Sequence, residues 1–127
     1  MTILIVEDNP SVRRLIKRAT CDIAQKVVEC EDGADSLDAY ASHRPDIVLM
    51  DIRMPRMDGL KATRRLLRAY PSAKVIILTD SNDDELRTAA RDAGACAYAL
   101  KQNLTQLEEV ILEVNSRPSC KSEGNAD

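Results

Sequence analysis

Residues 46–59 read DIVLMDIRMPRMDG. The run Ile47-Val48-Leu49-Met50 is apolar without alternation, which is how a strand covered on both faces reads, and it stops at a carboxylate, Asp51. A buried strand that ends by delivering a charge loses stability unless that charge has a use. TILIV at 2–6 and VIIL at 75–78 have the same character and are expected as the other inner strands. KVVEC at 26–30 and CAYAL at 96–100 are more mixed and suit the edges of one sheet.

Between these runs the apolar residues recur at helical spacing: Val12, Leu15, Ile16 and Ala19; Ala34, Leu37 and Ala41; Leu60, Leu66, Leu67 and Tyr70; Leu86, Ala89, Ala90 and Ala93; Leu104, Leu107, Ile111 and Val114. Asn9-Pro10 reads as a cap followed by a first-turn proline, Asp58-Gly59 opens the third helix, and Gly94 closes the fourth. Five strands alternating with five helices imply a parallel sheet with right-handed crossovers. In a chain of 127 residues that favours an α/β fold with a five-stranded, doubly wound open sheet over a closed barrel. Residues 1–115 form one expected domain. From 116 to 127 the text, SRPSCKSEGNAD, loses apolar period and reads as a tail or the start of a linker.

Composition narrows the class. The chain is 44% hydrophobic and 31% charged, as in a globular domain, and no apolar stretch approaches the roughly 20 residues that cross a bilayer. MTILIVED lacks the basic start of a secretory signal, so a cytoplasmic location is expected. A net charge of −3, with no Phe or Trp to stack bases, argues against direct nucleic-acid binding by this domain. The basic groups Arg13, Arg14, Lys17, Arg18 and Lys61, Arg64, Arg65, Arg68 fall at helical spacing and read as solvated faces. Cys21, Cys30, Cys96 and Cys120 form no C-x-x-C pair and meet no histidine cluster, so reduced thiols are expected rather than a zinc site. His43, the single histidine, reads as a surface residue.

In an open parallel sheet, functional groups gather beyond the carboxyl ends of the strands. Here the first strand is followed by Glu7-Asp8, the third by Asp51, the fourth by Thr79-Asp80 and the fifth by Lys101. Singly, each is an ordinary loop residue; together they bring carboxylates, a hydroxyl and an ammonium to one edge. Glu7, Asp8 and Asp51 within about 4 to 6 Å would repel one another unless a cation joined them. All-oxygen ligation with room for waters suits Mg²⁺, which also shares its shell with phosphate oxygens. A carboxylate beside that ion and an ammonium can act as a nucleophile toward phosphorus, and Asp51, central and flanked by the acidic pair, is the candidate.

With these residues in place, the pair ED after the first strand, MDIRMPRMDG around Asp51, LT at 78–79 and the lysine at 101 resemble the receiver domain of bacterial response regulators, the CheY-like fold, over about residues 2 to 115. The resemblance implies the flavodoxin-like strand order 2-1-3-4-5. It further implies that Asp51 accepts a phosphoryl group from the phosphohistidine of a sensor histidine kinase. By the same resemblance Asp8, Asp51 and the main-chain carbonyl of Arg53 ligate Mg²⁺, Glu7 acts through water, and Lys101 and Thr79 bind the phosphoryl oxygens. Tyr98 matches the family's aromatic switch position; a half-buried edge-strand tyrosine would read the same way. The output surface would then be the face of the fourth helix, fifth strand and fifth helix, and homodimerisation on phosphorylation is one expected consequence. The wording is most similar to NarL/FixJ-type receivers, which precede a helix-turn-helix DNA-binding domain and serve transcription control; such a domain would lie outside these residues.

Two positions depart from the pattern. Asp80 stands where a small residue is usual, so it is expected to repel the incoming group and modulate phosphorylation. Gln102 stands where a proline is common. Other readings remain open on the sequence: a phosphorylation-impaired receiver that works as a binding module, a single-domain phosphorelay protein, a haloacid-dehalogenase-type phosphatase and a flavodoxin-like cofactor binder. The phosphatase expects D-x-D after its first strand, whereas here Asp51-Ile52-Arg53 follows the third. The cofactor binder expects Ser, Thr or Gly where Glu7-Asp8 stands, and no nucleotide loop is present.

Overall fold

In the computed structural model, which describes residues 1–118, strands and helices alternate along the chain. The order is β1 (Thr2–Val6), α1 (Pro10–Thr20), β2 (Lys26–Cys30), a 3-10 turn (Gly33–Asp35), α2 (Ser36–His43), β3 (Ile47–Met50), α3 (Gly59–Ala69), β4 (Val75–Thr79), α4 (Asp84–Asp92), β5 (Ala97–Leu100), a 3-10 segment (Lys101–Gln106) and α5 (Leu107–Ser116). All strand pairs are parallel, in the order β2-β1-β3-β4-β5. The inner strands β1, β3 and β4 are buried almost throughout and the edges β2 and β5 only in part, as the contrast between continuous and mixed runs predicts.

Alternation along each inner strand divides the core in two. Leu4, Val6, Val48, Met50, Val75 and Ile77 pack with Tyr40, Ala62, Leu66, Leu67 and Ala90, which come from α2, α3 and α4. Ile3, Ile5, Ile47, Leu49, Ile76 and Leu78 pack with Ile16 of α1 and Leu107, Ile111 and Val114 of α5. Both faces are therefore covered, and polar groups collect at the strand ends.

The caps form where expected. Asn9 Oδ1 accepts from the Ser11 and Val12 N–H groups ahead of Pro10, and Asp58 Oδ1 accepts from the Lys61 N–H. Gly94, at φ +102°, ends α4 in a conformation that a side chain would strain. Gly59 answers a different need: a Cβ there would lie 1.8 Å from the Asp51 carbonyl oxygen. Only a glycine lets the start of α3 press against the backbone of Asp51, and its N–H donates to the Ile52 carbonyl at 2.7 Å.

Four details differ from the sequence reading. Leu15, expected on the buried stripe of α1, is 51% exposed, because Val12, Ile16 and Ala19 already fill that stripe. On α2 the buried apolar residue is Tyr40, while Ala41 is exposed, as is Ala34, which falls in the 3-10 turn before the helix. The last α-helix begins at Leu107 rather than Leu104, since Asn103 takes non-helical angles (φ −114°, ψ 43°) inside the 3-10 segment. Cys21 and Cys30 hold free thiols, whereas Cys96 is disulfide-bonded, against the expectation of reduced thiols. Residues 119–127, with Cys120 and most of the expected tail, lie outside the described residues.

Candidate functional site

Two neighbouring strands, β1 and β3, deliver the acidic groups, and β4 beside them adds a hydroxyl. β1 ends at Val6 and places Glu7 at 2% exposure, with exposed Asp8 next to it. β3 ends at Met50 and places Asp51, 7% exposed, whose N–H donates to the Val6 carbonyl at 2.9 Å and so ties the two strand ends together. Glu7, Asp8 and Asp51 each bring a carboxylate oxygen within 4.8 Å of the others. β4 ends at Thr79, buried, whose Oγ1 accepts from the Ser81 N–H at 3.3 Å.

Lys101 comes from the far edge of the sheet. Its Nζ lies 2.7 Å from Glu7 Oε1 and 3.0 Å from Asp51 Oδ1. One ammonium thus holds two buried carboxylates. Burial alone would lower the Lys101 pKa, but its hydrogen bonds to Glu7 and Asp51 outweigh that and raise it, so the group stays charged. Glu7 moves the other way from an ordinary salt-bridged acid. Burial pushes its carboxyl above the usual range, the Lys101 ammonium pulls it back, and the Asp51 charge pushes it up again. Apart from the ammonium, Glu7 Oε1 meets no hydrogen-bond donor among the described residues.

The cluster is short of positive charge. Three carboxylates face one ammonium, and one of their buried oxygens is incompletely matched. Hard oxygen donors at this spacing, with Asp8 open to water, fit a small divalent cation that keeps part of its hydration shell.

Asp32 is a site residue that sequence reasoning missed. Its carboxylate, 2% exposed, accepts from the Ala34 N–H at 3.0 Å and, across 24 and 25 residues, from the Arg56 N–H at 2.8 Å and the Met57 N–H at 3.0 Å. It pins the loop that runs from Asp51 to α3. The Asp-Gly pair at 32–33 signals a local cap, and Asp32 does cap the 3-10 turn, but nothing local announces the bonds to Arg56 and Met57. Arg56 also pairs with Asp35 at 2.5 Å.

The remaining candidates are spread outward. Arg53 is exposed in the loop after Asp51, and Asp80 is exposed just past Thr79, outside the carboxylate cluster. Tyr98, half-buried on β5, donates its hydroxyl to the Ser81 carbonyl, and the Arg87 guanidinium of α4 sits 4.6 Å from its ring centroid. Tyr98 therefore links β5, α4 and the loop that follows Thr79. The basic groups on α1 and α3 divide: Arg13 and Lys17 pair with Glu29, while Lys61, Arg64, Arg65 and Arg68 are exposed, as solvated faces require.

Comparison with known proteins agrees with this geometry. The chain is 38% identical over 115 residues to the response regulator GacA of Pseudomonas aeruginosa, covering 88% of this chain and 54% of that one. It is 34% identical over 127 residues to the response regulator MprA of Mycobacterium avium, covering 96% and 56%. The chain thus spans about half the length of these relatives. Among solved structures, a two-component response regulator of the LuxR family from Aurantimonas sp. SI85-9A1 superposes with a TM-score of 0.86 at 25% identity, covering 99% of this chain and 98% of that one. The family model for the response regulator receiver domain matches residues 3–112. The chain belongs to the receiver-domain family of two-component response regulators.

Proposed function

We propose that Asp51 is the phosphoacceptor of this receiver and that a sensor histidine kinase is its donor. The observation that carries the reading is the meeting of Lys101 with Glu7 and Asp51, drawn from the ends of β1, β3 and β5 at the carboxyl edge of the sheet. An Asp51 oxygen attacks phosphorus as the P–N bond of a phosphohistidine breaks. The electron pair leaves with the imidazole nitrogen, and Asp51 holds an acyl phosphate. Lys101 would shift from the carboxylates to the phosphoryl oxygens, and Thr79, buried at the end of β4, would offer its hydroxyl to one of them.

Asp8, Asp51 and the Arg53 main-chain carbonyl would hold Mg²⁺, with Glu7 joining through water. Bound there, the ion neutralises charge on the transferred group. Tyr98 would report the change, since its hydroxyl bonds to Ser81, two residues past Thr79. Asp80 would modulate the rate as a nearby anion. These assignments describe a phosphoacceptor that promotes its own phosphorylation and dephosphorylation and turns over no external substrate. Residues 1–115 would be the switch and 116–127 a linker to a helix-turn-helix DNA-binding domain outside this chain, in a cytoplasmic transcription regulator. Among the described residues no helix is long and apolar enough to cross a membrane.

Intact mass after incubation with acetyl phosphate tests the chemistry. The expected result is the added mass of one phosphoryl group when Mg²⁺ is present and little when it is chelated; no gain in either case would overturn the proposal.

A further inference from the structure

Glu7 and Asp8 stand where β1 leaves the sheet, and the peptide that joins them needs one fixed orientation if both carboxylates are to meet Asp51. The sheet supplies half of that hold. The Glu7 N–H donates to the Cys30 carbonyl at 3.0 Å and so extends the pairing of β1 with β2. The Glu7 carbonyl is held by a side chain instead: Arg13 Nη1, reaching back from the start of α1, donates to it at 2.7 Å.

The guanidinium is itself fixed. Its Nε lies 3.2 Å from Glu29 Oε1 on β2, its Nη2 lies 3.9 Å from Glu31 Oε1, and the side chain is only 13% exposed. Lys17 Nζ, 3.2 Å from the other Glu29 oxygen, steadies that acid in turn. Among the described residues Arg13 forms no ion pair with Glu7, Asp8 or Asp51. Its charge is turned to β2, and an N–H alone reaches the backbone of the acidic pair. A planar fork of donors suits this double task, since one edge takes a carboxylate while another takes a carbonyl; a lysine ammonium is a single point.

We propose that Arg13 is a positioning residue of the phosphoacceptor site. By fixing the Glu7 carbonyl it sets the Glu7-Asp8 peptide so that both carboxylates turn toward Asp51, where one cation can join all three. This role presupposes that the cluster holds Mg²⁺, as proposed above. Charge and position make opposite demands. As a cation near three carboxylates Arg13 opposes a second cation, so by charge alone its loss would tighten Mg²⁺ binding. As a clamp its loss frees the ligands and weakens binding.

Calorimetric titration of the unphosphorylated chain with Mg²⁺ alone separates the two. Arg13→Met should weaken Mg²⁺ binding about tenfold or more. Arg13→Lys keeps the charge but cannot reach the Glu7 carbonyl and Glu29 together, and should fall between Arg13→Met and the parent. With acetyl phosphate, Arg13→Met should need more Mg²⁺ for its half-maximal rate yet come within about twofold of the parent once Mg²⁺ saturates. Arg13→Met also leaves the Glu7 carbonyl without its donor, so titrations are run below the melting temperature of every variant, and Arg13→Lys carries the test if the methionine chain does not fold. Unchanged or tighter Mg²⁺ binding in either folded variant overturns the proposal. A parent chain that binds no Mg²⁺ would instead overturn the metal reading itself, and this role with it.

Discussion

Glu7 and Asp32 are equally buried, each at 2% exposure, and lie at the ends of neighbouring strands, yet their surroundings treat charge in opposite ways. Asp32 meets three backbone N–H groups. Burial works to raise its pKa, but those bonds and the Arg56 charge outweigh it and hold the carboxyl below its ordinary range. Glu7 meets one ammonium that it shares with Asp51, and its carboxyl is held above its ordinary range. A carboxylate placed to hold a loop together is surrounded by donors. One placed at the proposed phosphoacceptor site is left wanting a cation, and the fold carries that deficit as lost stability.

The largest expected effect falls on the satisfied partner. Asp32→Ala leaves the Arg56 and Met57 N–H groups without their acceptor and should lower unfolding free energy by about 3 kcal/mol in urea denaturation. A loss under about 1 kcal/mol would mean that water replaces those bonds at little cost. Next comes Lys101→Met, which strips the cluster of its ammonium. Phosphorylation by acetyl phosphate at saturating Mg²⁺ should slow roughly a hundredfold. An unchanged rate would remove Lys101 from the chemistry.

Glu7→Gln should show the contrast in sign. Without metal it should stabilise the chain by about 0.5–1 kcal/mol at neutral pH while weakening Mg²⁺ binding. The pH dependence follows from the same two shifts. Asp32 contributes stability that is full above the ordinary aspartate range and is lost as pH falls through its lowered folded value; Asp32→Asn should flatten the acid side of the stability profile. Glu7 contributes stability that is full below the ordinary glutamate range and is lost as pH rises through its raised folded value, a loss that Glu7→Gln should erase. Identical profiles for the two variants would dissolve the comparison. The smallest effect belongs to Asp80→Ala, expected to speed phosphorylation by about two- to fivefold, more at low ionic strength because the charge is solvent-exposed. Equal rates for both proteins at low and high Mg²⁺ would dismiss that role.

Which of these features could be read from the sequence follows from their range. β1, β3 and β4 declare themselves because a strand covered on both faces must be apolar at every position, and TILIV, IVLM and VIIL are. The positions of Glu7, Asp51, Thr79 and Lys101 were then legible as strand-end residues, since parallel strands all end on one side. Their pairing was not. That Lys101 bridges Glu7 and Asp51 depends on β5 lying two strands from β3, a tertiary fact. Asp32 was hidden for the same reason: its decisive partners are in a loop some 25 residues away, and backbone N–H groups carry no sequence signature. Leu15 misled because a helical stripe wide enough to include it is wider than the one that the sheet covers. Asn103 broke the start of α5 by backbone angles that its residue type permits without announcing.

The account rests on Asp51 alone, among the buried carboxylates, being poised to take a phosphoryl group. The direct measurement is peptide mapping of the chain after incubation with acetyl phosphate and Mg²⁺, run beside Asp51→Asn. The expected label lies on the peptide that contains Asp51, is absent from the one that contains Asp32, and is lost with Asp51→Asn. Label on another residue, or label that survives the substitution, would contradict it.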